Sequence, residues 1–238
     1  MYIPNWKIEE KLLEEEWDFV VGVDEAGRGP LAGSVVATAV ALKNSNYLQA
    51  YKEFLTSEMT SENSNMKKMK IWDLIRDSKT LSAKQREEAY DFIVKIFYIG
   101  IGICDHDTID RINISEASFL AMKKAIVDLK NKNHEIKNRK NIILVDGNKK
   151  IPNFSENQKA IIQGDKKVKS ISAASIVAKV TRDRMMLKAN KKYPEYEFDR
   201  HKGYGTKIHM EALEKYGPCE IHRQSFKPVK NALAKNKK

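Results

Sequence analysis

The chain has 238 residues, of which 42% are hydrophobic and 32% charged, a composition typical of a folded protein and not of a disordered one. Its 43 Lys and Arg outnumber 32 Asp and Glu to give a net charge of +11, which favours a polyanionic partner such as nucleic acid, although a solvated basic surface gives the same count. Two isolated cysteines exclude a disulfide framework, and the sequence lacks a secretory signal and any apolar run of membrane-spanning length. We therefore expect a cytoplasmic protein.

The N-terminal half is predicted to form three helices, one of them short, and three strands. Apolar residues at helical spacing predict a surface helix over residues 6–17, and short apolar runs predict strands over 19–23 and 35–42. A short, glycine-containing connection makes these two strands antiparallel neighbours. Residues 44–70 are polar and are predicted to form an insertion with one short helix. A helix over 82–94, capped by Ser82, and a strand over 96–104 follow.

The C-terminal half alternates helices and strands. A helix is predicted over 115–129, a strand over 142–145, a further apolar run over 161–164 and helices over 170–189 and 207–216, followed by a lysine-rich tail. The helix over 170–189 carries Ala173, Ala174, Ser175 and Ala178, small residues that allow a helix to approach a sheet closely. Early strands followed by alternating helices and strands predict a mixed α/β sheet with helices on its faces.

Three of the apolar runs stop at acidic residues. The run over 19–23 ends at Asp24 and Glu25, the run over 142–145 at Asp146, and the run over 161–164 at Asp165. Strands laid side by side bring their ends into one crevice, where such carboxylates repel one another unless cations lie among them. Hard divalent ions prefer oxygen ligands, so the pattern predicts a metal site. Neighbouring side chains on a strand point to opposite faces, so we expect the first strand to end at Asp24.

Several sequence blocks resemble the signatures of bacterial ribonuclease HII. They occur in the family's order and span about residues 18–228. Each block alone is modest evidence, whereas six in order are strong. The blocks are Val23-Asp24-Glu25-Ala26-Gly27-Arg28-Gly29-Pro30-Leu31-Ala32-Gly33, Asp77-Ser78-Lys79-Thr80-Leu81-Ser82, Val145-Asp146-Gly147 with Gly164-Asp165, Ser172-Ala173-Ala174-Ser175-Ile176-Val177-Ala178-Lys179-Val180, Lys202-Gly203-Tyr204-Gly205, and His222-Arg223 with Ser225-Phe226.

The resemblance implies a ribonuclease H-like fold, a mixed five-stranded sheet flanked by helices with a C-terminal helical extension. We expect a catalytic domain over 1–190, with the polar insertion at about 44–70, and a substrate-binding extension over 191–238. The implied activity is hydrolysis of the RNA strand of RNA/DNA hybrids and cleavage 5′ of single ribonucleotides embedded in duplex DNA, which leaves 3′-hydroxyl and 5′-phosphate ends. The implied cofactors are two divalent cations, Mn²⁺ or Mg²⁺, and the protein is expected to be a monomer that does not bind membranes.

The resemblance also implies roles for individual residues. Asp24, Glu25, Asp146 and Asp165 correspond to the family's catalytic, metal-binding carboxylates, and Asp24 is our choice for a ligand shared by both ions. The implied substrate-binding residues are Gly27, Arg28, Gly29, Ser78, Lys79 and Tyr204.

The substrate-binding residues also have plain structural interpretations. Glycines in the Gly27-Arg28-Gly29 segment allow main chain to reach a ribose 2′-hydroxyl, which distinguishes RNA from DNA, yet a purely structural turn would hold the same glycines. Tyr204 is expected beside the sugar at the cleavage site, with a half-buried core tyrosine as the alternative. Lys79 is expected to approach the phosphate backbone together with Ser78, with a solvated lysine as the alternative.

Other charged residues have less specific interpretations. Asp183 is a possible fourth ligand by position, but a salt bridge with Arg182 or Arg184 is the favoured prediction. His222 and Arg223 are expected to orient the C-terminal segment, with DNA contact as the alternative.

Lysines beside Asp165 are equally consistent with phosphate contacts and with a solvated face. The lysines concerned are Lys166, Lys167 and Lys169. Cys104 and Cys219 are expected to be inert.

Three rival functions differ from this hypothesis. Ribonuclease HIII shares the fold and carboxylates but normally carries an additional N-terminal domain, and the Gly-Arg-Gly segment favours HII. A nucleic-acid-binding protein without cleavage gains nothing from carboxylates concentrated beside phosphates. The third is a DNA-acting relative such as a resolvase or transposase-type nuclease. No clear sliding-clamp binding sequence is present at the C-terminus, so that association is not predicted.

Overall fold

The computed structural model describes residues 3–44, 48–49 and 71–235. The strands are β1 (Phe19–Ala26), β2 (Val35–Leu42), β3 (Phe97–Cys104), β4 (Asn141–Asp146) and β5 (Gln158–Ile161). They form one five-stranded sheet in the order β3-β2-β1-β4-β5. β2 is antiparallel to β1 and β3, whereas β4 is parallel to β1 and β5. The predicted mixed sheet, and the antiparallel pairing of the first two strands, are confirmed.

The pairing of β1 with β4 brings two predicted site residues together. Val23 lies opposite Val145, so Asp24 and Asp146, the next residue of each strand, reach the same edge of the sheet. Val23 and Val145 are fully buried, and a slip of one residue on β1 would place a valine at the Gly22 position, where a Cβ atom would clash with the backbone of Ser170. The apolar run of each strand therefore determines where its carboxylate lies.

Helices cover both faces of the sheet. Val21 and Val23 face helix α3 (His106–Lys132), while the alternate residue Gly22 faces helix α6 (Lys169–Lys192). The long helices α3 and α6 both lie against β1 and β2, so they enclose the centre of the sheet between them. The helices are α1 (Lys7–Glu14), α2 (Ala83–Ile96), α3 (His106–Lys132), α4 (His134–Asn138), α5 (Gly164–Lys167), α6 (Lys169–Lys192), α7 (Phe198–His201), α8 (Lys207–Tyr216) and α9 (Lys227–Lys235).

The small residues of α6 allow the close approach that the sequence predicts. Ala173 and Ala174 are fully buried, and the Thr38 hydroxyl on β2 donates a hydrogen bond of 2.6 Å to the Ala174 carbonyl. A Cβ atom at Gly22 would lie 2.3 Å from the carbonyl carbon of Ser170, so only glycine fits on β1 at this point. This contact holds the start of α6 beside the strand that carries Asp24.

Helix α3 begins earlier than the sequence predicts. It starts at His106, and Asn113 interrupts it with φ 66° and ψ 164°. The Asn113 side chain accepts hydrogen bonds from the amides of Ser115 and Glu116, so it caps the segment whose start was predicted at Ser115. The segment before Asn113 was missed because its apolar spacing is broken by this turn.

Other helix predictions agree in position. α2 begins after Ser82, whose hydroxyl accepts from the Gln85 amide while the Gln85 side chain accepts from the Ser82 amide. α8 has the predicted bounds, and α1 is shorter than predicted. The helix predicted within 44–70 lies outside the described residues except at 48–49.

The C-terminal helices pack beside α6 near the segment that follows β1. Tyr196 and Phe198 form a buried cluster with Ala32 and Met186. α6 continues to Lys192, so the predicted domain boundary at 190 falls within a helix, and the division into a domain and an extension stays a prediction. No helix in the described residues is long and apolar enough to cross a membrane.

An acidic residue of α1 is buried where α1 meets α6. Glu9 is 2% exposed, and its carboxylate accepts a hydrogen bond of 2.9 Å from the Ser170 amide. Burial raises the pKa of Glu9 to about 7, although the Ser170 amide acts in the opposite direction. The folded protein therefore keeps this proton over a pH range in which the unfolded chain has lost it.

We predict that Glu9→Gln changes how stability depends on pH. Ionisation of Glu9 lowers the free energy of unfolding as pH rises from about 4.5 to about 7. A glutamine at this position does not ionise. The free energy of unfolding of the variant minus that of the wild type should therefore increase by about 3 kcal/mol between pH 4.5 and pH 8. Urea unfolding at both pH values measures the change, and a difference that is independent of pH contradicts it.

Candidate active site

Asp24 and Glu25 both reach one cavity although the strand continues beyond them. β1 extends to Ala26 and still pairs with β2 at Glu25, so the expectation that the strand ends at Asp24 is wrong. β4 ends at Asp146, which leaves the other side of β1 open from this point. Glu25 nevertheless lines the same cavity as Asp24, and the Glu25 amide donates a hydrogen bond of 2.7 Å to Asp24 Oδ1.

Asp165 lies on a short helix and not at a strand end. β5 ends at Ile161, and Gln163 adopts a left-handed conformation with φ 57° before α5 begins. Asp146 Oδ1 accepts hydrogen bonds from the amides of Gly164, at 2.7 Å, and Asp165, at 3.4 Å. The Asp146 carboxylate thus holds the first turn of α5, and this contact brings Asp165 beside the ends of β1 and β4.

The four carboxylates line a cavity of about 240 Å³. All the substrate-binding residues that the resemblance implies line it as well. Ala26, Ser175 and Lys179 also contribute. Ser175 and Lys179 belong to a sequence block that was noted for its resemblance but not assigned to the site. Residues from β1, the 3₁₀ turn Ser78–Thr80, β4, α5, α6 and the loop after α7 therefore meet at one place.

Burial and neighbouring carboxylates raise the pKa values of Asp24, Glu25 and Asp165. Burial raises the pKa of Asp24 well above its ordinary value, and the charges of Glu25 and Asp146 add to this effect. The pKa values of Glu25 and Asp165 are also raised, in each case chiefly by burial and further by Asp146. Each group is therefore unfavourable as an anion unless positive charge is supplied nearby.

The donor set fits hard divalent cations. It consists of carboxylate oxygens alone, and Asp24 is only 5% exposed. Across residues 3–44, 48–49 and 71–235, no group of three or more His, Cys, Asp or Glu side chains is already arranged to hold a metal ion. Like-charged carboxylates repel one another, which favours keeping their oxygens apart in this way.

Two lysines supply positive charge around the carboxylates. Lys79 Nζ lies 3.8 Å from Asp165 Oδ2. Partial burial lowers the pKa of Lys79, but the charges of Asp165 and its neighbours outweigh that effect and the net shift is upward. Lys179 instead pairs with Asp183 at 2.7 Å.

Asp183 has a different partner from the one predicted. It pairs with Lys179 and not with either neighbouring arginine, because residues four apart share one face of a helix whereas adjacent residues do not. Arg182 is buried and donates to backbone carbonyls, and Arg184 pairs with Glu87. Asp183 is not among the residues that line the cavity.

Two buried arginines, Arg182 and Arg223, contact the backbone of the Gly27-Arg28-Gly29 segment. Gly27 has φ 100°, and a Cβ atom there would lie 2.2 Å from Arg182 Nε. Arg223 donates hydrogen bonds to the carbonyls of Gly27 and Arg28. His222 and Arg223 are both fully buried, which confirms their predicted structural role.

Side chains near this segment differ in exposure. Tyr204 is 44% exposed, and a Cβ atom at Gly29 would lie 3.5 Å from its ring. Ser78 is buried and its hydroxyl is 3.1 Å from that of Ser175. Lys79 is mostly exposed. Tyr204 and Lys79 thus extend into solvent, whereas Ser78 does not.

Lys169 fits neither interpretation given to the lysines beside Asp165. It is fully buried and donates hydrogen bonds of 2.9 and 3.0 Å to the carbonyls of Trp72 and Ile75. Burial lowers its pKa to about 8. Lys167 donates to the Ile162 carbonyl. The sequence could not show that Lys169 is buried, because its partners Trp72 and Ile75 are distant along the chain.

Comparisons with known proteins agree on one family. The profile of the family "Ribonuclease HII" matches residues 21–229. A Ribonuclease HII of Caldicellulosiruptor bescii is 48% identical over 231 residues, which cover 96% of this chain and 95% of that protein. The chain belongs to the ribonuclease HII family. It is therefore a type 2 ribonuclease H, an endonuclease, and the predicted preference for HII over HIII is confirmed.

A second relative gives the same family, and solved structures give the same fold. A Ribonuclease HII of Fusobacterium nucleatum is 47% identical over 217 residues, covering 90% of this chain and 88% of its own. The crystal structure of ribonuclease H2 from Pyrococcus horikoshii has a TM-score of 0.67 at 23% identity, over 92% of this chain and 99% of that one. A structure described as Bst-RNase HIII in complex with Mn²⁺ has a TM-score of 0.64 at 16% identity, over 92% of this chain and 70% of that one. These structures show the ribonuclease H-like fold.

We predict that Asp165 and Asp183 differ in their effect on cation binding. Asp165→Asn removes a cavity carboxylate and should weaken Mn²⁺ binding by more than the 10-fold to 100-fold that is typical for loss of an outer contact. Asp183→Asn should change it by less than about threefold, because Asp183 does not line the cavity. Titration calorimetry with Mn²⁺ measures both, and equal losses would assign Asp183 to the site.

Proposed function

We propose that the protein hydrolyses the RNA strand of RNA/DNA hybrids and cleaves 5′ of single ribonucleotides embedded in duplex DNA, leaving 3′-hydroxyl and 5′-phosphate ends. The observation that carries this proposal is that four carboxylates and the Gly27-Arg28-Gly29 segment line the same cavity. One group is suited to phosphodiester chemistry and the other to reading the sugar. The net charge of +11 suits a polyanionic duplex.

Asp24, Glu25, Asp146 and Asp165 are the proposed ligands for two divalent cations, Mn²⁺ or Mg²⁺. Such ions, when bound, activate a water molecule and stabilise the departing 3′ oxygen. Asp24 is the proposed shared ligand, because the charges of both Glu25 and Asp146 act on it. Asp146 has a second task, since its hydrogen bonds with the backbone of α5 keep Asp165 in place.

Recognition of the ribonucleotide is assigned to the Gly27-Arg28-Gly29 segment and Tyr204. The side chain of Arg28 is half-exposed and pairs with Glu25 at 3.1 Å, so it lies between the carboxylates and the solvent from which substrate enters. Tyr204 faces Gly29 at the same mouth of the cavity. The phenol and the loop amides are the proposed partners of the 2′-hydroxyl.

Phosphate contacts are assigned to the turn that carries Ser78 and Lys79. Lys79 is exposed near Asp165, and we propose that it exchanges this contact for a substrate phosphate. Ser78 is buried against Ser175, so its proposed contribution is to support the turn and to offer its hydroxyl from the cavity wall.

The rival functions are less well supported. A binding protein without cleavage would hold four carboxylates beside phosphates at a cost in affinity and with no gain. A nuclease for DNA alone would need no element to read a 2′-hydroxyl.

We also propose that the protein acts as a monomer in the cytoplasm.

The deciding experiment uses two duplexes that differ in one sugar. One is DNA with a single internal ribonucleotide and the other is the same sequence entirely of DNA, each incubated with Mn²⁺ or Mg²⁺. The proposed function requires a cut 5′ of the ribonucleotide in the first duplex and none in the second. Cutting of both duplexes, or of neither, contradicts it.

Asp24→Asn is expected to abolish turnover but not binding. The substitution removes a cation ligand and also a negative charge near the phosphate, so kcat should fall by at least about 100-fold while the Kd for the duplex stays equal or decreases. Single-turnover cleavage and fluorescence anisotropy measure the two quantities. Retained turnover would rule out Asp24 as an essential ligand.

Tyr204→Ala is expected to weaken recognition of the ribonucleotide more than affinity for the duplex. Loss of one hydrogen bond and the ring contact should lower kcat/KM on the single-ribonucleotide duplex about tenfold, with less change in the Kd for the all-DNA duplex. Tyr216→Ala is the matched control, since Tyr216 is also exposed but does not line the cavity. Equal effects of the two variants would remove Tyr204 from the site.

A further inference from the structure

A short buried segment, residues 221–223, connects the two elements that are proposed to read the ribose. It pairs with the chain that follows the Gly27-Arg28-Gly29 segment: the Gly33 amide donates to the Ile221 carbonyl and the Arg223 amide to the Leu31 carbonyl, both at 2.8 Å. The side chains of His222 and Arg223 are fully buried. Neither lines the cavity, so neither has a part in the function proposed above.

Arg223 holds the peptide planes of the glycine-rich segment. Its guanidinium donates to the carbonyls of Gly27 at 2.6 Å, Arg28 at 3.0 Å and Gly33 at 2.9 Å. In a trans peptide the carbonyl and the following amide point in opposite directions. When the carbonyls of Gly27 and Arg28 face Arg223, the amides of Arg28 and Gly29 face away from it. A single side chain thereby sets the direction of two amides proposed to read the sugar.

His222 holds the other element through His209. The Cys219 amide donates to His222 Nδ1 at 2.9 Å, closer than the Cys219 carbonyl at 3.2 Å, so we assign the proton of His222 to Nε2. His222 Nε2 lies 3.0 Å from His209 Nε2 and donates to it. His209 then carries its proton on Nδ1, which donates to the Tyr204 carbonyl at 2.9 Å.

The surroundings favour this neutral arrangement of the histidines. Burial lowers the pKa of His209 to about 4, and burial together with His209 lowers that of His222 to about 3. His201 stacks on His209 with ring centroids 4.5 Å apart and accepts from the Gly203 amide. The chain of hydrogen bonds from Cys219 to Tyr204 therefore has one direction, with each donor facing an acceptor.

We propose that His209 and Arg223 are positioning residues for ribonucleotide recognition. Arg223 fixes the Gly27-Arg28-Gly29 segment, and His209 fixes the backbone of Tyr204. His222 sets the tautomer of His209, and residues 221–223 connect the two branches. The inference depends on the proposed function, because it concerns how the same site selects a ribonucleotide.

Two substitutions of His209 separate positioning from packing. An asparagine places its side-chain amide near the former Nδ1 and can still donate to the Tyr204 carbonyl, whereas a glutamine places it near the former Nε2 and cannot. Both variants introduce an amide of similar size at a buried position. His209→Gln is expected to lower kcat/KM on the single-ribonucleotide duplex about tenfold, and His209→Asn to stay within about threefold of wild type.

A double-mutant cycle with Tyr204→Ala shows whether His209 acts through Tyr204. The tenfold effect of His209→Gln should shrink to less than about twofold when Tyr204 is already alanine, because the carbonyl then positions no recognition side chain. A purely structural role predicts the same loss in both backgrounds, and that result would overturn the inference. Thermal unfolding of each variant confirms that the comparison is between folded proteins.

Arg223→Lys tests the second branch independently of the histidines. Lysine keeps the charge but loses the planar fork that spans three carbonyls. We expect kcat/KM on the single-ribonucleotide duplex to fall about tenfold with less than a twofold change in the Kd for the all-DNA duplex. A parallel loss in both quantities overturns the positioning role.

Failure of the proposed function and failure of the inference give different results. If the unaltered protein does not cut the single-ribonucleotide duplex, the proposed function fails. If it cuts and the variants have the same kcat/KM as the unaltered protein, the inference alone fails.

Discussion

The repulsion among four carboxylates at the end of β1 and β4 is the constraint to which the rest of the site responds. Asp24 is buried with Glu25 and Asp146 close enough to raise its pKa, and Asp165 is added by a turn that Asp146 itself holds. A fold gains no stability from such a cluster, because burial and like charge both oppose ionisation. The free energy of this arrangement becomes favourable only when cations neutralise it, which ties the local structure to metal-dependent chemistry.

Buried cations and neutral histidines stabilise the backbone around this cluster. Arg182 and Arg223 bind carbonyl groups on the connection between β1 and β2, and Lys169 does the same for the chain before Ser78. Buried positive charge that is satisfied by carbonyl dipoles fixes main chain without adding a competing carboxylate. Arg182, Arg223 and Lys169 thus orient backbone atoms around the site.

The sequence predicted those parts of the site that local patterns determine. Apolar runs located β1, β2, β3 and β4, and the register of β1 and β4 brought Asp24 and Asp146 together as expected. Asp165 was misplaced because the left-handed conformation of Gln163, which converts the end of an apolar run into a helix start, has no clear sequence signal. The partner of Asp183 was misassigned because sequence proximity was preferred over helical spacing. The contacts of Arg223 join residues about 190 positions apart, so no local pattern could reveal them.

Anomalous diffraction from a crystal of the protein soaked in Mn²⁺ tests the central claim most directly. Electrostatic crowding predicts two manganese peaks about 4 Å apart, both bound by oxygens of Asp24, Glu25, Asp146 and Asp165. Manganese bound elsewhere on the molecule, with no peak among these four carboxylates at saturating concentration, would contradict the account.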